Sequence, residues 1–351
     1  MKKPGFFIVG AARSGTTSLW QYLKTHPEVY MPEDELLKEP SFFSDDCGKK
    51  LGLTGYLSIF EQAHKNHKWI GEASVAYLTD PESARRIYDF NPEAKIIIML
   101  RNPAQRAYSL YNWMVQDGYE YASTFEEGLT LEETRVHRKE SNWYKPNYYW
   151  GYLYFRSGLY HDQAKRYLEL FKEDVLIIKF EDFSINTAST YREVCSFLQI
   201  DPQHAPYQIH NPSHAVRSAR ILFILRKLNN YILQENQRGT PVSKISEKLK
   251  HKHTEIVNQL ARVTRLNMVE RISGKRILKK IENYLNAFSD EYPYRDIQSK
   301  TRRDQLLNLG LKPGKPPKLK KKTQNHLLNR FEPDIKKLST LSGMDFSGWL
   351  E

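Results

Sequence analysis

The chain has 351 residues, 40% of them hydrophobic and 13% aromatic, and carries a formal charge of +12 at pH 7. That length and apolar content support a real core in one large α/β domain or two small ones. The charge favours an anionic partner: a nucleotide, a sulfated or phosphorylated substrate, nucleic acid or an acidic membrane face. Cys47 and Cys195 are the only cysteines, which excludes a disulfide framework and fits a reducing compartment. No apolar run approaches the ~20 residues of a membrane span. The first strand begins by Gly5, leaving no room for a signal peptide, so a soluble, cytoplasmic protein is expected.

The first element is the apolar run Phe6–Val9, which reads as a buried strand. Gly10 to Gly15 then form a tight loop. From Thr16 the spacing of Leu19, Trp20 and Leu23 predicts a helix over Thr16–Thr25, ending before Pro27. Strand, glycine loop and helix gather free backbone N–H groups and a helix N-terminus around one small space, which suits a phosphate. Gly10 and Gly15 have the spacing of a P-loop, G-x-x-x-x-G-K-[ST]. Thr16 and Thr17 stand where the lysine and hydroxyl of a nucleotide hydrolase are expected, and the cation is Arg13, inside the loop. Loss of that lysine counts against Mg·ATP chemistry.

Further along, an amphipathic helix is expected over Tyr56–Lys65 and a weaker strand over Lys68–Ala73. Buried strands follow at Lys95–Leu100 (KIIIML) and Val175–Phe180 (VLIIKF), each trailed by a helical pattern, at Gln105–Gln116 and Ser189–Leu198. That alternation predicts β-α units on a parallel sheet, whose ligands bind at the carboxyl ends of strands. Tyr111 to Tyr160 is rich in aromatics, among them Trp143, Tyr144, Tyr148, Tyr149 and Trp150. It reads either as helical packing with a surface loop or as an acceptor cleft whose aromatic faces stack on flat groups. After His214 the chain is mainly helical, with periodic runs at Ile221–Leu233, Ile277–Phe288 and Leu327–Leu341. Between the last two, Lys300–Lys322 is a basic loop broken by Pro313, Pro316 and Pro317. The expected fold is α/β: a P-loop-like three-layer sandwich with a central parallel sheet flanked by helices and a largely helical C-terminal part. One domain over 1–351 is expected, with a helical insertion about 234–296 and a basic loop about 300–322.

Arg101 follows the second strong strand, and Arg106 and Ser109 lie on the next helix. A guanidinium grips phosphate with a planar fork and a hydroxyl adds a neutral donor. Arg101 and Ser109 can thus hold a second anion beside the first loop. A ligand with two separated anionic groups is implied, and a nucleotide with 5′ and 3′ phosphates fits.

These residues, taken with others in order, resemble the sulfotransferases that use 3′-phosphoadenosine 5′-phosphosulfate (PAPS), in the branch of heparan sulfate sulfotransferases and many bacterial relatives. The matching pieces are GAARSGTTSL, KEPSFF at Lys38–Phe43, GEASVAYL at Gly71–Leu78 and LRNPAQRAYSLY at Leu100–Tyr111. SGLYHDQAKRYLELF, VLIIKFEDF, HNPSHAVRS at His210–Ser218 and FEPDIKKLSTLSGMDFSGWL complete the series. The resemblance implies that Arg13, Ser14, Gly15, Thr16, Thr17 and Ser18 bind the 5′-phosphosulfate end. Arg101 and Ser109 would take the 3′-phosphate, with Arg217 and Ser218 closing on that side. Glu39 falls where that branch has its catalytic base. Lys38, Glu72, Ser74 and Tyr77 are acceptor-side candidates by position.

Two departures bear on chemistry. The family often has lysine where this chain has Arg13, and arginine is a poor proton donor. The polysaccharide enzymes often have lysine at the position of Ala73, which turns the expectation away from a heparan-like acceptor. The leaving group of sulfuryl transfer, a phosphate of 3′,5′-ADP (PAP), needs cations and N–H groups more than a proton. Arg13 and the Thr16 and Thr17 amides can supply these, so no metal is expected. The acceptor hydroxyl does need a base, and Glu39 is assigned that role; His26, His64, His67 and His161 are the other candidates. The acceptor itself is open among glycans, glycolipids, lipid alcohols and small metabolites, and any membrane contact is expected to be peripheral. Two other readings stand beside this one: a P-loop kinase or nucleotide hydrolase, and a non-catalytic basic protein binding polyanions through Lys300–Lys322. No recognisable nucleic-acid module is present, so nucleic acid is not an expected partner.

Overall fold

The computed structural model describes residues 2–32, 37–44, 47–138, 151–202, 215–216, 311–312 and 316–351, with Phe223, Lys227 and Glu255. Five parallel strands form the main sheet: β1 (Phe6–Gly10), β2 (Val29–Tyr30), β3 (Trp69–Glu72), β4 (Lys95–Leu100) and β5 (Val175–Lys179), in the order β2-β3-β1-β4-β5. β1 lies at the centre, with Phe7 opposite Glu72 on one side and Ile96 on the other. Every residue of β1 is buried, as expected of a parallel strand covered on both faces.

Side chains alternate across that sheet. Phe6 and Ile8 join Ile97, Met99, Leu19, Trp20, Leu23, Val194 and Leu198 in one buried cluster. This face is covered by α1 (Thr16–Lys24) and α9 (Thr187–Leu198). Phe7 turns the other way and meets Phe43, 5.8 Å away edge to face. There the chain supplies α2 (Cys47–Ser58, broken at Gly52), α3 (Ala76–Thr79), α4 (Ser83–Phe90) and α7 (Tyr160–Phe171). The remaining helices are α5 (Pro103–Gln116), α6 (Phe125–Arg138), α8 (Phe180–Ile185) and α10 (Lys321–Ser342). Asp334 of α10 accepts from the first N–H groups of α7, Tyr160 N at 2.7 Å and His161 N at 3.3 Å, meeting donors that a helix start leaves over.

By its internal contacts the chain divides into two units. One comprises Met1–Leu110, Leu131–Pro212 and Leu319–Glu351; the other, Tyr111–Thr130 and Ser213–Lys318. The first holds the five-stranded sheet. In the second, Ala215–Val216 (β6) and Leu311–Lys312 (β7) pair antiparallel, and Tyr121 meets Phe223 edge to face.

The α/β sandwich and its parallel sheet are as the sequence predicts. The helix expected over Tyr56–Lys65 is corrected: α2 ends at Ser58, and the chain continues in tight turns. Phe60 N bonds Leu57 O and Ala63 N bonds Phe60 O, three-residue spacing that still buries Tyr56, Phe60 and Ala63. The strand over Val175–Phe180 stops one residue early because Phe180 opens α8. Trp143, Tyr144, Tyr148, Tyr149 and Trp150, the runs Ile221–Leu233 and Ile277–Phe288 beyond Phe223 and Lys227, and most of Lys300–Lys322 lie outside the described residues. Among the described residues no helix is long and apolar enough to cross a membrane.

Candidate active site

The loop after β1 wraps the N-terminus of α1. Gly15, the residue before the helix, has φ +87°, and a Cβ there would stand 3.0 Å from the Phe180 ring and in a conformation L side chains avoid. Among the described residues no side chain caps α1. Its first N–H groups therefore remain available, and the helix dipole adds to their pull on an anion. Ser14 Oγ is buried with no hydrogen-bond partner among the described residues, an orphan that a bound phosphate oxygen would satisfy. These observations fit a phosphate-bearing ligand at the loop.

Arg13 also has a positive φ, 68°, which costs a non-glycine residue about 1 kcal/mol. The Arg13 Nε donates to Ser109 Oγ at 3.3 Å, and Arg101 Nη1 donates to Arg13 O at 3.2 Å. Three predicted ligand residues from β1's loop, the end of β4 and α5 are thereby brought together.

Arg101 is fixed from behind. Its guanidinium lies 4.6 Å from the centre of the Phe180 ring, the same ring that closes on Gly15. Burial lowers its pKa, while the Glu181 carboxylate and Tyr160 work the other way. Tyr160 OH donates to Arg101 O at 2.9 Å. Glu181 accepts from Asn102 N (2.9 Å) and Trp349 Nε1 (3.1 Å), and Asn102 Nδ2 donates to Trp349 O (2.9 Å). The C-terminal Trp349 thus braces the strand end that carries Arg101. Arg106 points into the protein instead, wholly buried and donating to Tyr154 O at 2.6 Å.

The KEPSFF segment approaches the loop from the other side. Lys38 Nζ donates to Thr17 Oγ1 and to Glu39 Oε1, both at 2.9 Å. Lys38 is 6% exposed, whereas the Glu39 side chain is 39% exposed. Glu39 therefore has access to solvent and, through one lysine, a link to the phosphate loop.

Glu72, Ser74 and Tyr77 are fully buried. Tyr56 OH donates to Glu72 Oε2 and Ser74 Oγ to Glu72 Oε1, each at 2.5 Å. Ser74 Oγ in turn accepts from Ser41 N at 2.9 Å, and Tyr77 OH accepts from Phe43 N at 3.3 Å. Their polar atoms are occupied within the protein, where they pin the KEPSFF backbone to the end of β3. Burial pushes Glu72 up to about 7 against the hydrogen bonds from Ser74, Tyr56 and Tyr77, which pull it down, and the Glu39 charge adds to the rise.

The histidines lie elsewhere. His26 is buried with both ring nitrogens used, Nδ1 accepting from Glu28 N at 3.1 Å and Nε2 bonded to Asp201 O at 2.6 Å. His64 and His67 share a turn with ring centres 3.8 Å apart, and His161 Nδ1 bonds Asp162 at 2.7 Å. Arg217 and Ser218 fall outside the described residues. Among the described residues no cluster of side chains could hold a metal ion.

The fold and the site define an α/β protein of P-loop type with two candidate anion-binding positions at neighbouring strand ends. The sulfotransferase domain model matches residues 3–268, and the chain belongs to that family. It is similar to carbohydrate sulfotransferase 15 of Mus musculus, 27% identical over 256 residues, which cover 57% of this chain and 44% of the relative. The membrane-associated sulfotransferase kil1 of Dictyostelium discoideum is 34% identical over 116 residues, 32% of this chain and 23% of the relative. The matches thus span less than half the length of these relatives. A sulfotransferase from Alicyclobacillus acidocaldarius, known from its crystal structure, aligns over 100% of both chains at 26% identity with a TM-score of 0.61.

Proposed function

We propose that the protein transfers the sulfuryl group of PAPS to a hydroxyl of its acceptor, releasing PAP, with Glu39 as general base. The observation that carries this reading is the bridge from Thr17 Oγ1 through Lys38 Nζ to Glu39 Oε1. It brings a solvent-accessible carboxylate to a phosphate loop, the juxtaposition that in-line transfer between a donor and a hydroxyl needs.

In the proposed step the acceptor oxygen forms its bond to sulfur as its proton passes to Glu39. The bond from sulfur to the bridging oxygen breaks, and its electron pair stays on the departing phosphate. Ser14, Gly15, Thr16, Thr17 and Ser18 would hold the 5′ end through the N–H groups and hydroxyls around α1's start. Arg101 and Ser109 would take the 3′-phosphate, with Arg13 between the two ends. Cations and N–H donors already in place where charge accumulates lower the barrier without reorganisation. Glu72, Ser74 and Tyr77 act, on this reading, by holding the base loop.

The family supports the acceptor as far as a hydroxyl or an amine, as in carbohydrates; the choice of a hydroxyl and the cytoplasmic location are part of the proposal. The test is affinity for 3′,5′-ADP against 5′-ADP, then release of 3′,5′-ADP from PAPS on addition of candidate acceptors. Strong preference for 3′,5′-ADP supports the reading. Equal affinity for the two nucleotides sinks it, and Mg-dependent ATP consumption would favour the kinase alternative.

A further inference from the structure

Lys38 looks at first like an acceptor contact, since it precedes the base in sequence. Its surroundings are of another kind. The ammonium is almost completely buried, yet its carboxylate partner Glu39 is half-open to solvent. It reaches across to Thr17 Oγ1, in the first turn of α1, at 2.9 Å. The Trp20 ring, one turn further along α1, lies 5.9 Å from the same nitrogen. An ammonium has three N–H donors, and Thr17 and Glu39 account for two. A buried cation with a donor to spare, seated at an uncapped helix start beside the unpartnered Ser14 Oγ, is suited to a ligand anion.

Arg13 meanwhile donates through Nε to Ser109, toward the side assigned to the 3′-phosphate. The sequence places one cation in the loop, and that cation is drawn toward the second anion position. Lys38 adds a second cation on the 5′ side of Arg13, where it bonds Thr17 Oγ1.

We propose that Lys38 is a donor-side catalytic residue. Resting on the PAPS reading above, it contacts the 5′-phosphosulfate end and stabilises the charge that collects on the leaving phosphate, in the place a P-loop lysine occupies in nucleotide hydrolases. Because the same ammonium pairs with Glu39, donor binding draws it toward the phosphate and loosens its hold on the base. The donor therefore readies the carboxylate that accepts the acceptor's proton.

The experiment compares 3′,5′-ADP with adenosine 3′-phosphate, which lacks only the 5′-phosphate, by calorimetric titration of the wild type, Lys38→Met and Lys38→Gln. Losing one charge-assisted bond should weaken 3′,5′-ADP by about ten- to a hundredfold while adenosine 3′-phosphate changes by about twofold or less. Turnover should fall further than affinity, and Lys38→Arg should recover part of both. Equal loss for the two nucleotides would make Lys38 a purely structural support of the loop. Unchanged binding of both with a raised acceptor KM would return it to the acceptor side. Either result overturns the proposal. If Lys38→Met fails to fold, Lys38→Gln, which keeps a polar end for Thr17, gives the same comparison. A wild type that does not prefer 3′,5′-ADP over 5′-ADP instead refutes the donor reading itself, and the role of Lys38 falls with it.

Discussion

Glu72→Gln isolates the buried carboxylate under the base loop. In the folded protein Glu72 is raised from 4.5 to about 7, first by burial and then by the Glu39 charge, against hydrogen bonds from Ser74, Tyr56 and Tyr77. Tyr56 and Tyr77 are themselves held well above 10, by burial first and then by Glu72, so they remain donors throughout. A carboxyl raised by folding binds its proton more tightly folded than unfolded. Its stabilisation is complete below about pH 4.5 and is lost as pH rises through about 7. The rise from 4.5 to about 7 corresponds to about 3 kcal/mol, to order of magnitude. Glutamine has the same shape and no ionisation. Glu72→Gln should therefore gain on the wild type by about 2.5 kcal/mol, most of that total, between pH 5 and pH 8. Urea unfolding of both proteins across that range measures the difference, in which all other titrating groups cancel. Stability curves that stay parallel from pH 5 to pH 8 would refute the account of Glu72 as a desolvated carboxyl.

Two other substitutions probe the site from its ends. Glu39→Gln should lower sulfuryl transfer about a hundredfold or more, the usual contribution of a general base, while 3′,5′-ADP still binds; a variant that turns over normally puts the base elsewhere. Trp349→Ala should cost about 3–5 kcal/mol of stability as a buried aromatic lost, read from the denaturation midpoint. It should also weaken 3′,5′-ADP, because Trp349 braces Asn102 and Glu181 behind Arg101, and undiminished affinity in the folded variant would break that link.

The sheet was legible because buried parallel strands leave apolar runs, and KIIIML coincides with β4 residue for residue. β2 was not, since two residues, Val29 and Tyr30, carry no periodicity. The Tyr56–Lys65 pattern gave the right buried face and the wrong helix, because three-residue turns and an α-helix repeat their apolar positions almost alike over so short a span. At the site, glycine spacing marked the loop, and the strand-end arginine does reach it, Arg101 Nη1 donating to Arg13 O. The direction of each side chain is a tertiary matter. Nothing local to KEPSFF indicates that Lys38 reaches Thr17, or that Glu72 turns inward to Tyr56 and Ser74. Trp349 stands 247 positions after Asn102, the partner it bonds, and only the folded chain joins them. The one available signal was an ionisable residue inside an otherwise apolar or small run: Glu72 in WIGEASVAYL asks for buried partners, and it has them.

The strand order accounts for the arrangement of the whole site. β3, β1 and β4 are neighbours in that order, and ligands of parallel sheets gather where such strands end. The end of β3 fixes the loop carrying Glu39, through Ser74 and Tyr77. β1 ends in the phosphate loop, and β4 ends in Arg101. On the proposed reading, base, 5′-anion position and 3′-anion position would follow one another across the sheet in the order of acceptor, sulfate, 5′-phosphate and 3′-phosphate. Lys38 spans the first gap and Arg13 the second. With one cation at each junction, a nucleotide lacking either phosphate would forgo one of these charge-assisted contacts. On the proposed reading, selection of a doubly phosphorylated donor would follow from groups that these strand ends hold in place.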